Sequence, residues 1–175
     1  TFDLSAGGNQ AIGTLAGVAG STVALGGNTL TLGAAADTTF DGSIVGTGDL
    51  VKNGAGTLGL GGASSFSGGV TLNAGGLSVG NDAALGTGAL TVGGAATLDA
   101  SAATTLANDI ALNAALTLPG SNDLALDGAI SGTGSLIKHG AVTLALNGNN
   151  TFSGGTTVDG GTLVVGSDTA LGTGG

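Results

Sequence analysis

The chain has 175 residues, and four types (39 Gly, 28 Ala, 24 Thr and 24 Leu) fill 115 of them. All eleven acidic residues are aspartate, the only bases are Lys52 and Lys138, the only histidine is His139, and the net charge is -9. Two lysines cannot meet a run of phosphates, which excludes duplex nucleic acid as a partner. The lack of cysteine excludes thiol catalysis, disulfides and cysteine-held metals. No basic n-region opens a signal peptide, and no uncharged apolar run is long enough for a membrane span. A hydrophobic content of 41% with 7% charge argues for a packed core and against disorder.

Along the chain, short apolar runs alternate with small polar residues. They read Leu30-Thr31-Leu32, Leu58-Gly59-Leu60, Leu77-Ser78-Val79, Leu90-Thr91-Val92, Leu116-Thr117-Leu118 and Leu144-Ala145-Leu146. Period two predicts strands with one buried face. Frequent glycine and β-branched residues disfavour helix. The strands are short and bounded by GG, NG, DG or GTG, where glycine permits sharp corners.

These runs recur with a fixed step. Val70, Leu90, Ile110 and Ile130 are evenly spaced at a 20-residue step, and Leu72, Val92 and Leu112 follow in parallel. A second track runs Leu58, Leu77, Leu98, Leu116 and Leu136. Earlier in the chain, Ile12 to Leu30 or Leu32, Leu30 to Leu50, and Leu25 to Ile44 have similar separations. A β-sandwich or small antiparallel barrel also has short strands, but neither requires one face to recur at so regular a step. The expected fold is all-β: a right-handed parallel β-helix (solenoid) of about 8 coils of 20–22 residues, with like residues stacked coil on coil. Both ends look cut, which suggests a piece of something longer.

A longer repeat overlies the short one. Residues 42–88 recur as 128–174, an offset of 86 without a gap, with 28 identities in 47 positions. Four short steps nearly fill that unit, so Lys52 and Lys138 are expected to stack four coils apart, about 19 Å, and to project from the rod. The whole chain, 1–175, is expected to be one β-helical unit containing these two equivalent blocks.

The blocks resemble the passenger-associated transport repeat of autotransporters, the type V secreted proteins of Gram-negative bacteria. Gly46, Gly48, Leu50, Lys52, Gly54, Gly56, Thr57, Leu58 and Leu60 carry the first half of the pattern. Phe66-Ser67-Gly68-Gly69, Thr71, Gly75, Leu77, Val79, Gly80 and Ala84-Leu85-Gly86-Thr87-Gly88 carry the second. The other copy departs at Val142, where the pattern has glycine, so a looser corner is expected there. The resemblance implies a β-helical passenger at the cell surface, held by a C-terminal outer-membrane β-barrel of the same polypeptide or released. It also implies a repeat that aids secretion and folding, and a role in adhesion, self-association or biofilm growth. Neighbouring passengers or host-surface molecules are the implied partners.

No catalytic, cofactor-binding or metal-ligating residue is assigned, and no cofactor is expected. A Ser-His-Asp triad could use only His139, which lies in a turn-like KHG where solvent exposure is expected. The aspartates are scattered or repeat-related (Asp37 and Asp123, Asp41 and Asp127, Asp82 and Asp168) and read as solvated corners, not an acid–base pair. Calcium-coil and EF-hand motifs are missing, leaving Asp82 and Asp168 as weak ion candidates. Phe66 and Phe152 are expected to pack at a corner or over a loop. The function expected is a structural β-helical stalk of a surface passenger, with binding by the rod's own surface as the alternative.

Overall fold

In the computed structural model, which describes residues 1–174, the chain is an all-β parallel solenoid of about eight turns. Each full turn passes three faces. Among the described residues, face one stacks seven strands: Gln10–Ile12, Leu30–Leu32, Leu50–Lys52, Val70–Leu72, Leu90–Val92, Ile110–Leu112 and Ile130–Ser131. Face two stacks Thr38–Phe40, Thr57–Leu60, Gly76–Val79, Ala96–Ala100, Leu116–Leu118, Leu136–Lys138 and Thr156–Val158. Face three is built in two runs. Phe2–Asp3, Thr22–Ala24 and Ser43–Val45 form the first; Thr104–Leu106, Leu124–Leu126, Thr143–Leu146 and Thr162–Val165 form the second. Between them, residues 61–69 and 80–89 cross the face without strand structure.

Alternation explains the core. In Val70–Leu72, Leu90–Val92 and Ile110–Leu112 the first and third residues are buried while the middle one is part-exposed. The ladder runs along the axis: Val70 N–H donates to Ala89 O, Leu90 N–H to Asp109 O and Ile110 N–H to Ala129 O, each at 2.9 Å. Leu30, Leu50, Val70, Leu90, Ile110 and Ile130 therefore form one buried column, each at most 2% exposed.

Register corrects several sequence expectations. Leu58, Leu77 and Leu98 do stack, but Thr97 pairs with Thr117, so Leu116 lies over Ala96. The steps from Leu58 to Leu77 and from Leu77 to Leu98 are unequal, and both Leu116 and Leu118 point inward. Leucine identity alone therefore cannot choose the stacking partner. Ile44 pairs with Val23, not Leu25.

The largest correction concerns the 86-residue offset. Four turns on face one carry the chain from Leu50 to Ile130, and the stretch from there to Leu136 takes it round one corner. Leu50–Lys52 lies on face one, whereas its counterpart Leu136–Lys138 lies on face two. Thr57–Leu60 on face two likewise becomes Thr143–Leu146 on face three, and Val70–Leu72 on face one becomes Thr156–Val158 on face two. Lys52 and Lys138 thus share no column.

Leu112 is fully buried at mid-stack, so Leu112→Ala should cost about 2–5 kcal/mol through lost burial and a residual cavity. Thr91→Ala, on the outer side of the same face, should change stability by about 0.5 kcal/mol or less. Urea midpoints of the two variants compare them directly; equal shifts would contradict the inward column.

Candidate functional site

The repeat-specific residues collect at corners and at the strand-free crossings. Both lysines are buried, at 3% and 1% exposure, contrary to the expectation that they project. Each ends a strand on an inward-facing position, so its stem lies in the core and its ammonium reaches the next corner. Lys52 Nζ donates to Gly54 O and, at 3.4 Å, to Ala74 O one coil on. Lys138 Nζ donates to His139 O (3.2 Å), Gly140 O (3.4 Å) and Gly160 O (3.0 Å). Ala74 and Gly160 are counterparts at the 86-residue offset, so both ammoniums staple consecutive corners in one way. A ring of backbone carbonyls solvates the charge in place of water.

Phe66 and Phe152 are fully buried, as expected for packing residues. Each fills the core where a strand is missing, in crossings 61–69 and 147–155. The ring faces the first glycine of LGTG one coil on. A Cβ on Gly86 would stand 2.8 Å from Phe66 Cδ1, and one on Gly172 would stand 3.0 Å from Phe152 Cδ1. Both glycines also have positive φ, 64° and 72°. The FSGG and LGTG motifs are therefore two halves of one contact.

Where the ladder breaks at these crossings, polar side chains replace the lost backbone partners. Ser64 Oγ accepts from Ile44 N–H at 3.1 Å, and its counterpart Asn150 accepts from Ile130 N–H at 2.7 Å through Oδ1. Asn150 Nδ2 also donates to Ala170 O at 2.6 Å. Asn108 Nδ2 donates to Gly86 O and Gly88 O at 3.1 and 2.7 Å. Sequence reasoning missed all three. The available signal was position: Asn150 falls one coil step after Ile130, on a column otherwise apolar.

The aspartates serve the corners. Asp37 Oδ1 accepts from Thr57 N–H at 2.6 Å, and Asp123 Oδ1 from Thr143 N–H at 2.7 Å. Asp49 and Asp109 accept from Gly69 and Ala129 N–H, both at 2.9 Å and again one coil on. Asp82 accepts from Thr105 N–H at 2.8 Å, while Asp168 is exposed on another face. Among the described residues no three His, Cys, Asp or Glu side chains gather around a common point. His139 Nδ1 and Asp159 Oδ2 are 3.0 Å apart, with both side chains about half exposed. Such a surface pair contributes about 0–1 kcal/mol. Val142 borders a void of about 10 Å³ beside Leu118 and Leu144, and its corner's axial bond from Thr162 N–H is as long, 3.3 Å, as the counterpart from Gly76 N–H to Gly56 O.

Two shallow outer grooves, of about 320 and 330 Å³, are also repeat-related. Asp37, Thr39, Thr57 and Gly59 line the first, and Asp123, Ala125, Thr143 and Ala145 the second. They lie one face apart.

Two outcomes follow from these contacts. Asn150→Ala strands two buried groups, Ile130 N–H and Ala170 O, and should cost about 1–3 kcal/mol for each. Ser64→Ala strands one and should cost less, as chemical denaturation of the two variants would read. Burial lowers the pKa of the Lys52 ammonium below the ordinary 10.5, against a smaller opposing pull from the Asp37 carboxylate. Between the lowered value and 10.5 the unfolded chain binds more protons, so this group makes unfolding costlier as pH rises. Lys52→Met loses that contribution along with the donor for Gly54 and Ala74. It should be less stable by about 1–3 kcal/mol, and its deficit should widen as pH approaches 10.5. A deficit that narrows there would contradict the assigned direction.

Known sequences match this arrangement over its repeats. The passenger-associated-transport-repeat family model matches residues 50–79 and 136–165. The adhesin BmaC autotransporter of Brucella suis biovar 1 (strain 1330) is 52% identical over 62 residues, 34% of this chain and 2% of that protein. The chain therefore spans about one-fiftieth of the curated relative it matches. No solved structure matches it. A cell-surface or extracellular location is typical of autotransporter passengers. With both matched segments lying in one continuous stack, the chain is a β-solenoid similar to autotransporter passengers, with two segments that match the passenger-associated-transport-repeat model.

Proposed function

We propose that this solenoid is a non-enzymatic stalk segment in an adhesin passenger, holding a binding region away from the bacterial surface and assisting the passenger's secretion and folding. The observation that carries the reading is the single apolar core that runs from the first matched repeat to Phe152 in the second. Stiffness comes from axial hydrogen bonds, cohesion from the leucine stack, and reach from the number of turns. The adhesin name of the relative supports the adhesive role, and its autotransporter name supports a C-terminal outer-membrane β-barrel as partner. The aspartates that cap backbone N–H groups favour a structural use of the carboxylates over acid–base chemistry. Folding assistance would come from the Phe66–Gly86 and Phe152–Gly172 contacts, which lock a crossing to the coil that follows it.

A second reading rests on the paired outer grooves, which offer Asp and Thr side chains to a neighbouring passenger or a host-surface molecule. Bacteria displaying the full passenger separate the two. Deleting residues 50–129 removes four whole turns and part of the lining of each groove. At equal surface amount, retained host-cell adherence and cell–cell aggregation support the stalk; loss of either supports binding by the rod. The secretion role is read separately. Phe66→Ala with Phe152→Ala should slow the arrival of protease-resistant passenger at the surface, and unchanged arrival would refute it.

A further inference from the structure

The repeat contacts are the same on different faces. Asp37 caps Thr57 as Asp123 caps Thr143, Ser64 caps Ile44 as Asn150 caps Ile130, Lys52 reaches Ala74 as Lys138 reaches Gly160, and Phe66 meets Gly86 as Phe152 meets Gly172. The first member of each pair belongs to a corner or crossing one face behind the second. Nothing in these contacts depends on which face carries them, because each links a residue only to the coil before or after it. The unit's length nevertheless exceeds four turns by one face.

We propose that the 86-residue unit is a rotary spacer: each copy lengthens the rod by four turns and also turns everything beyond it by one face. Successive copies present their grooves on successive faces, and three copies restore the starting direction. Gain or loss of one copy by recombination between the similar blocks leaves the core continuous but re-aims the distal surface. This holds whether or not the passenger is an adhesin.

Register makes the idea testable by thiol cross-linking, and the absence of native cysteine removes background. Removing residues 50–135 joins Asp49 to Leu136 and places Ile137 where Val51 stood, beside Thr31 on face one. Removing residues 50–129 joins Asp49 to Ile130 and keeps the original faces, with His139 where Gly59 stood, beside Thr39. In the shorter chain, Thr31→Cys with Ile137→Cys should form a disulfide and Thr39→Cys with His139→Cys should not. The 80-residue deletion should give the reverse pattern. In the undeleted chain, Ile137→Cys should link to Thr117→Cys on face two and not to Ala111→Cys on face one.

Several results would overturn the proposal. One is linkage of residues 137 and 111 in the intact chain; another is the same cross-link pattern in both deletions. Unfolding of the 86-residue deletion, by circular dichroism, would also overturn it, whether or not the 80-residue deletion folds, because a unit that cannot be removed is not a module.

Discussion

One constraint governs this molecule: the backbone of each coil hydrogen-bonds to the coils before and after it, so a residue's nearest neighbours lie a full coil away in sequence. Along a strand the spacing of about 4.8 Å leaves room for side chains, which point inward or outward. At a corner it does not. A Cβ on Gly88 would overlap the Gly68 carbonyl of the previous coil, so glycine is required there by contact between coils. The high glycine content thus follows from the pitch of the solenoid and does not signal flexibility.

The same constraint decides the fate of polar groups. At corners and strand-free crossings some N–H and C=O groups lose their axial backbone partners, and each buried group left unsatisfied costs about 1–3 kcal/mol. Four side-chain types meet that need, serine doing so at Ser64. Aspartate is short enough to accept an N–H one coil on, as at Asp37 and Asp109. Asparagine both donates and accepts, which suits Asn150 between Ile130 and Ala170. Lysine is long enough to reach the carbonyls of two corners from an inward strand position. The acidic balance of the chain is in large part the consequence of capping with carboxylates.

This division also explains what sequence reading can recover. Parallel strands, inward alternation and the 20-residue step were legible because Val70, Leu90, Ile110 and Ile130 repeat the same chemistry at the same interval. Face two was harder, since Leu116 continues the series Leu58, Leu77 and Leu98 in sequence but lies over Ala96, with Leu118 equally inward beside it. The lysines were misread because charge normally means exposure; only the carbonyls of neighbouring coils, invisible in one dimension, make burial tolerable. The Phe–Gly contact was half visible. Both motifs stood out as repeats, but their partnership depends on the coil pitch placing Gly86 over Phe66.

Two periods therefore coexist, and they need not be commensurate. The 20-residue pitch is set by packing: a coil must end where the next begins, and a slip to the adjacent position would reverse every inward side chain on that face. No comparable force acts on the 86-residue period, because its capping and plugging contacts reach only one coil away. A unit may then exceed a whole number of turns by any number of faces without harming the core, and here it exceeds four turns by one. Sequence equivalence between the two blocks consequently means equivalent contacts with neighbouring coils, not equivalent direction in space. For a rod whose surface or distal end must face a target, direction is the property that the number of repeats changes and the core leaves unregulated.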